Sequence, residues 1–378
     1  RPMLPPTFGP PSVSMLLPLL LKRAAVPDLA RPGGLPWPRR HGTSRLSNLH
    51  NEGVFVLMLA RIVVLVSALF LWTGSVAAAE FEDWMREFRA EAQGRGITTA
   101  TLDGALNGIS LIPRVVELDR KQPEFTLTYT QYRDRVVPLS RIKKGRSKLA
   151  ENRALLQEIG SKIGVQPRFI VALWGIETDF GRVTGGFKVV PALVTLAYDG
   201  RRSAYFRKEL HNALRILNEG HITPGAMVGS WAGAMGQCQF MPSSFLAHAI
   251  DYNGDGRRDI WTTREDVFAS AANYLAKSGW RADQTWGREV RLPDNFDRAM
   301  ADLKVRKPIS GWQALGVRRA DGTDLPSRQL SASIVLPEKG KMSPAYMVYS
   351  NYRTILKWNR STYFALAVGL LSDGIGAQ

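Results

Sequence analysis

Phe169-Ile170-Val171-Ala172-Leu173-Trp174-Gly175-Ile176-Glu177-Thr178 is an apolar run that holds one ionisable group, Glu177. Pro167 precedes it, in the first-turn position that suits proline, and Gly181, Gly185 and Gly186 follow as breakers. The run reads as a helix buried on most sides. A carboxylate in such an apolar wall favours its neutral form, so the Glu177 pKa is expected to be raised, as a general acid near neutral pH requires. The plainer alternative is a buried Glu paired with an arginine, for example Arg182. Asp179 is no natural partner, because helix positions i and i+2 do not face each other. The two-carboxylate pair of ordinary glycosidases is therefore not visible locally.

Working outward, the flanks are helical. Phe81, Trp84, Met85 and Phe88 recur at helical spacing. A second helix is expected over Lys148 to Ile163, with Leu149, Leu155, Leu156, Ile159 and Ile163 apolar, and the basic stretch Arg141 to Lys148 reads as a solvated helix surface. Pro191 starts another helix. Phe206, Leu210, Leu214 and Leu217 then mark an amphipathic one that Gly220 stops. Residues 225–242 are rich in Gly, Ala, Ser, Met and Gln, a composition for close backbone packing around something bound. Glu289–Leu292 and Ser331–Leu336 read as strands between turns such as Asp321-Gly322. A last helix is expected over Ser350 to Ser372, so strands interrupt a helical domain.

Before this region, residues 1–57 carry ten prolines and no periodicity. They read as a disordered or spurious upstream extension. Residues 58–79 read as a secretory signal: Arg61, an apolar stretch Ile62–Leu71, and Ala77-Ala78-Ala79 at the cleavage site. No cysteine follows that site, so no lipoprotein anchor is expected there. The full chain of 378 residues has 50 Lys+Arg against 33 Asp+Glu, a net +17. Beyond residue 79 there remain 42 basic and 31 acidic residues, a net +11. That balance implies anionic company. The single cysteine, Cys238, excludes an intrachain disulfide framework and Cys-rich metal sites.

Asp251-Tyr252-Asn253-Gly254-Asp255-Gly256-Arg257-Arg258-Asp259 places oxygen ligands and the required glycine in the order of an EF-hand calcium loop. The ligands would be Asp251, Asn253, Asp255, the Arg257 carbonyl and Asp259. Position 12 is Thr262 instead of Glu, so Glu265 or Asp266 is a candidate for the missing carboxylate. The alternative is a polar turn capping the next helix. His211, His221 and His248 form no zinc spacing. Cys238 reads as a small buried hydrophobe before a nucleophile. No nucleic-acid module is visible.

Ala172-Leu173-Trp174-Gly175-Ile176-Glu177-Thr178-Asp179-Phe180-Gly181 closely resembles the catalytic signature of the membrane-bound lytic murein transglycosylase B family. Ser230-Trp231-Ala232-Gly233-Ala234-Met235-Gly236-Gln237-Cys238-Gln239-Phe240-Met241-Pro242-Ser243-Ser244 resembles its second signature. The calcium-like loop, Ala272-Asn273-Tyr274-Leu275 and Lys357-Trp358-Asn359-Arg360-Ser361-Thr362-Tyr363 follow in the family's order. The resemblance runs from about Phe81 to Ile375. It implies an α+β, predominantly α fold: a lysozyme-like helical core with an N-terminal helical part and a small strand-rich insertion. The divisions expected are 80–164 for the N-terminal helices, 165–285 for the core, 286–349 for the insertion and 350–378 for a helix returning to the core.

The resemblance also implies cleavage of the β-1,4 bond between N-acetylmuramic acid and N-acetylglucosamine in peptidoglycan, leaving 1,6-anhydromuramic ends. Glu177 would act first as acid, then as base. Ser230 and Gln239 would line the cleft, Tyr274 would wall it, and Asn359 beside Trp358 would contact sugar; the family often has Tyr where this chain has Trp358. Arg201 and Arg202 match a basic pair that would meet the acidic peptide stem. No cofactor is expected for the chemistry beyond a structural Ca2+. The expected partners are glycan strands and stems, with no nucleic acid, no stable membrane insertion after signal cleavage, a monomeric state and a periplasmic location. A lysozyme-like hydrolase and a non-catalytic wall-binding scaffold are the competing readings.

Overall fold

The structure, a computed structural model, describes residues 79–121, 127–340 and 343–377. The extension at 1–57 and the signal segment up to residue 78 lie outside the described residues. Residues 79–96 fall in a unit of their own, described as helix α1 (79–94) and a turn. On α1, Phe81, Trp84 and Phe88 stack in series, with ring centroids 6.2 and 5.5 Å apart. This is the i, i+3, i+4 stripe of an amphipathic helix.

The second unit holds the remainder from Ile97. Helices α2 (Thr99–Leu106), α3 (Pro113–Arg120) and α4 (Tyr129–Val136) lead to α5 (Leu139–Glu151) and α6 (Arg153–Ile163). The expected single helix over 148–163 is thus two. The break is Asn152, whose side-chain amide donates to the Lys148 carbonyl (2.8 Å) and whose oxygen accepts from Arg264 (3.1 Å). A side chain competing for backbone bonds interrupts a pattern that periodicity alone carries through. The basic stretch at 141–148 is also less solvated than expected. Arg141 is buried and donates to the Val136 carbonyl, and Gly145 lies against Ile375.

Helix α7 (Pro167–Thr178) is the centre of this unit. Residues Phe169 to Gly175, Glu177 and Thr178 are all buried, because α5, α6, α11 (Arg264–Lys277) and α14 (Thr362–Gly376) pack around it. After a short strand β1 (Phe187–Lys188), α8 (Val189–Tyr198) packs along α9 (Ser203–Asn218). Strand β2 (Val228–Gly229) pairs antiparallel with β1, and α10 (Pro242–His248) precedes α11.

The insertion is a five-stranded antiparallel sheet in the order β4-β6-β7-β3-β5, built from β3 (Gly287–Arg291), β4 (Lys307–Pro308), β5 (Arg318–Arg319), β6 (Ser331–Val335) and β7 (Ala345–Val348). In the register, Gly287 faces Val348 and Ser333 faces Val348 from the other side. Helix α12 (Ile309–Ala314) closes a small core of Trp312, Ile334, Met347 and Val317. The chain then returns through α13 (Ser350–Trp358) to α14. Here too the expected single helix over 350–372 is two, split where the Asn359 side chain accepts the Ser361 N–H (2.9 Å) and Ser361 caps α14. Among the described residues there are fourteen helices and the small antiparallel sheets, a predominantly helical, lysozyme-like α+β architecture. No helix among them is long and apolar enough to cross a membrane.

Candidate active site

Glu177 occupies the last turn of α7 and is 2% exposed. The helix ends directly after Thr178, earlier than the glycines suggest. Asp179 and Phe180, neither a glycine, adopt left-handed backbone angles (φ 49° and 61°). Such residues cost about 1–3 kcal/mol each and persist where surrounding structure over-determines them. The surroundings are visible. The Phe180 ring meets Trp174 edge-on at 5.6 Å and fills the space over Gly175, where a Cβ would lie 2.7 Å from it. Its N–H donates to the Trp174 carbonyl (3.1 Å). The turn lets Glu177 end a buried helix while Asp179 faces outward.

Asp179 is bonded by Arg182 (2.6 Å) and lies 3.2 Å from the Lys144 ammonium. The alternative pairing of Glu177 with Arg182 is therefore not what forms. Arg182 is exposed and sits on the carboxylate one step along the turn. Instead, Glu177 Oε1 accepts a hydrogen bond from Trp358 Nε1 at 2.8 Å. Trp358 is the last residue of α13 and 7% exposed. Its ring packs on Tyr274 (4.7 Å) and Phe240 (5.3 Å), and Phe240 in turn touches Tyr274 (5.7 Å). Trp358 thus reaches the carboxylate itself, beyond the sugar contact expected of it. Tyr274 donates its hydroxyl to the Lys357 carbonyl (2.7 Å), and burial pushes its pKa up to about 12, so it stays a neutral donor.

Behind Glu177 lies a cavity of about 10 Å³, about what a single water needs. Its lining is Ile170, Leu173, Trp174, Cys238, Val267, Phe268, Ala271 and Trp358, with Gln237 as the one amide. Gln237 is a residue that sequence reasoning passed over. Its Oε1 accepts from Trp174 Nε1 (2.8 Å) and its Nε2 donates to the Trp261 carbonyl (2.8 Å). One amide therefore ties α7, the 230–240 loop and residue 261 together. Only its place within the Gly-Gln-Cys-Gln stretch could have marked it. Cys238 beside it is buried, donates to the Val267 carbonyl (3.2 Å), and has its thiol pKa pushed well up, first by burial and then by the Glu177 charge. It packs as the small hydrophobe expected.

The 230–240 segment is a tight ladder. Ser230 Oγ accepts the Ala234 N–H (3.0 Å), Ser230 N–H donates to the Ala234 carbonyl (2.8 Å), and Met235 and Phe240 exchange both backbone bonds. Gly236 turns it with φ 62°, and a Cβ there would lie 2.6 Å from the Ile260 carbonyl oxygen. Gln239, at φ 49°, donates to the Thr184 and Gly236 carbonyls (3.0 and 2.9 Å), while its Oε1 is buried with no partner. A buried acceptor left open is a place for a donor to arrive. Ser243, at the ladder's end, is held by Glu209, a buried carboxylate of α9 that accepts its N–H and hydroxyl (2.8 and 2.6 Å). Asn359 is buried beside Trp358, its oxygen accepting the Ser361 N–H (2.9 Å).

Glu177, Trp358, Tyr274, Gln237 and Cys238 come together, with Gln239 and Asn359 as chain neighbours of the cluster. Arg201 and Arg202 are engaged elsewhere. Both hold Asp119 of α3, whose side chain is 1% exposed: Arg201 Nε bonds one oxygen at 2.6 Å and Arg202 the other. Burial alone would raise the Asp119 pKa, but the two guanidinium hydrogen bonds outweigh it and hold the carboxyl below its ordinary value. The basic pair is first of all half of a part-buried ion cluster around the enclosed Asp119, joining α3 to the start of α9.

Of the six expected metal ligands, Asp259 and Asp266 are committed to other partners, while Asp251, Asn253 and Asp255 are linked through the loop's own N–H groups. Asp251 accepts the N–H groups of Gly254, Asp255 and Gly256, and Asp255 accepts that of Arg257. Asn253 accepts from Asp255, and Gly256 takes φ 87° at the expected turn. Asp259, however, is spent on Trp261 N–H and the Thr262 and Thr263 groups, in the turn that precedes α11. Asp266 is fully buried and clamps the N–H groups of Tyr252 and Asp259 (2.7 Å each). Among the described residues no group of three or more His, Cys, Asp or Glu is placed to hold a metal ion. The second half of the loop is a polar turn, but its carboxylates do not cap α11, which begins after Thr263 without a side-chain cap.

The family described as "Transglycosylase SLT domain" matches residues 80–373. "Membrane-bound lytic murein transglycosylase B" of Escherichia coli (strain K12) is 35% identical over 218 residues, 56% of this chain and 57% of that protein. The chain thus spans a little over half the length of that curated relative. SltB3 from Pseudomonas aeruginosa, solved in complex with NAG-anhNAM-pentapeptide, is 44% identical, with a TM-score of 0.76 over 79% of this chain and 80% of that one. The lytic transglycosylase Slt35 of E. coli, solved in complex with calcium, is 28% identical with a TM-score of 0.66, over 77% of this chain and 92% of that one.

Proposed function

The chain belongs to the SLT transglycosylase family, and from that premise we propose that it is a peptidoglycan lytic transglycosylase in which Glu177 does the proton work. The observation that carries the proposal is Glu177 itself, a carboxyl enclosed at the end of an apolar helix with the Trp358 indole on one oxygen. Neutral Glu177 gives its proton to the oxygen of the β-1,4 bond on the muramic side as the C1–O bond breaks. The carboxylate then takes the proton of the muramic C6 hydroxyl as that oxygen bonds to C1, closing the 1,6-anhydro ring. The chemistry needs no second carboxylate, which suits a turn whose neighbouring carboxylate, Asp179, is committed to Arg182 and Lys144. The SltB3 complexes with NAG-NAM-pentapeptide and NAG-anhNAM-pentapeptide support this substrate class and product.

Gln239 Oε1 would accept a sugar hydroxyl or N-acetyl N–H, with Ser230, Tyr274 and Asn359 lining the same cleft. Arg201 and Arg202 together carry one positive charge more than Asp119 cancels, and Arg201 is 49% exposed at its side chain, so stem carboxylates would meet it. The location proposed is the periplasm, as a monomer. The test is mass spectrometry of muropeptides released from sacculi. Wild type is expected to give anhydro-muropeptides, and Glu177→Gln to give none while still binding sacculi. Reducing-end products would make it a hydrolase, and an inert wild type would make it a scaffold.

A structural calcium at 251–259 is a second part of the proposal. The side-chain oxygens of Asp251, Asn253 and Asp255 and the Arg257 carbonyl suit a hard cation. Without a bidentate Glu at position 12, the site would be weak, of the order of 10⁻⁴–10⁻³ M. The support is the loop's shape and the calcium complex of Slt35. Millimolar calcium is expected to raise the melting temperature relative to EDTA by mass action; an unchanged value discards it.

A further inference from the structure

The Trp358 indole is held to its task by more than the Glu177 bond. Its ring is packed against both Phe240 and Tyr274. The preceding residue is fixed twice, by the Tyr274 hydroxyl on the Lys357 carbonyl (2.7 Å) and by Lys357 Nζ on the Ser278 carbonyl (2.7 Å). The ring therefore cannot swing away from Glu177 without dislodging the end of α13. Its position at 2.8 Å from Oε1 is built into the fold.

We propose that Trp358 is a positioning residue that assigns the two Glu177 oxygens different roles: Oε1 as the permanent acceptor and Oε2 as the oxygen that carries and recovers the transferable proton. An indole N–H only donates. Oε1 must therefore present a lone pair to it in both protonation states. In the neutral acid the carbonyl oxygen is the better acceptor, so the hydroxyl belongs on Oε2. In the carboxylate the bond becomes charge-assisted and stronger, so the indole favours the ionised form that the second half of the reaction needs. It works against burial, which favours the neutral form. A phenol or hydroxyl in its place could turn and accept, and would leave the proton's position undecided. The inference rests on the acid–base reading of Glu177 and adds which oxygen acts and what tunes it.

The test uses the full chain with Trp358→Phe, and with 3-benzothienylalanine at 358, which keeps the fused ring and removes only the N–H. In carboxyl ¹³C spectra, with Glu177→Gln identifying the signal, losing the bond is expected to raise the Glu177 pKa by about 1–2 units. On glycan strands the alkaline limb of the kcat profile should move up by the same amount. At the wild-type optimum kcat should fall roughly tenfold with KM within about threefold, since ground-state sugar binding is not what is lost. Trp358→His, which restores a ring N–H, should recover part of the shift. An unmoved Glu177 pKa in the benzothienyl variant overturns the inference, as does a rise in KM with kcat intact, which would make Trp358 a sugar platform alone. An inert wild type would sink the acid–base reading, while the Glu177 titration still reads the hydrogen bond without substrate.

Discussion

At the scale of single residues the site is an apolar enclosure with few polar atoms, most of them committed and the Gln239 Oε1 left open. Gln237 is the clearest case, because its amide satisfies both the Trp174 indole and the Trp261 carbonyl. Gln237→Ala should leave two buried groups unpaired and destabilise by about 2 kcal/mol or more, read as a fall in the denaturation midpoint. Activity should fall with it, since the same amide holds the wall behind Glu177. Cys238 makes the opposite prediction. Its thiol pKa is raised by burial, so at pH 8 it is a neutral, enclosed thiol. Intact-mass measurement should find no alkylation of the native protein at that pH and full alkylation in denaturant, and Cys238→Ala should retain lytic activity. Both residues sit in one sequence motif, yet only burial and bonding separate an anchoring amide from an inert thiol.

At the scale of elements, the joint between α3 and α9 is electrostatic. Asp119 is enclosed and meets two guanidinium groups, which hold its pKa below 3.8. A depressed carboxyl pKa contributes stability that is present at neutral pH and is lost as pH falls through the folded value. Asp119→Asn should therefore lower the melting temperature at pH 7, with a loss of about 2–4 kcal/mol. That is less than for a fully enclosed pair, because Arg201 stays half exposed. As pH falls through the lowered Asp119 pKa the two proteins should converge; a constant difference down to low pH would refute the ionic account. The elements also show where periodicity misleads. The stripes over 148–163 and 350–372 run on through Asn152 and Asn359, yet the chain bends at both. In each case an amide side chain takes a backbone partner of its own. Apolar spacing reports which face is buried, and it is blind to an asparagine that stops the helix while the face continues.

At the scale of the whole molecule, the sheet is an excursion that must return the chain to α7. Trp286, at the start of the insertion, packs flat on Gly369 of α14, where a Cβ would lie 2.2 Å from its ring, and its N–H donates to Asp373 (2.9 Å). Gly369→Ala should force the two apart, at about 1–3 kcal/mol, seen as a lower melting temperature. If α14 really completes the core by lying on α7, truncation after residue 349 should abolish both cooperative unfolding and lytic activity, rather than activity alone. The sequence by itself determined the buried helix, its one carboxyl, the strand-rich insertion and the family, because hydrophobic spacing, breakers and local motifs are short-range properties. Only the tertiary structure decided that Arg201 and Arg202 serve Asp119, that Asp266 clamps the acidic loop's backbone, and that Trp358 meets Glu177 from 181 residues away. Those are contacts between side chains on different elements, and their partners are chosen by how the helices close around α7, which no local pattern encodes.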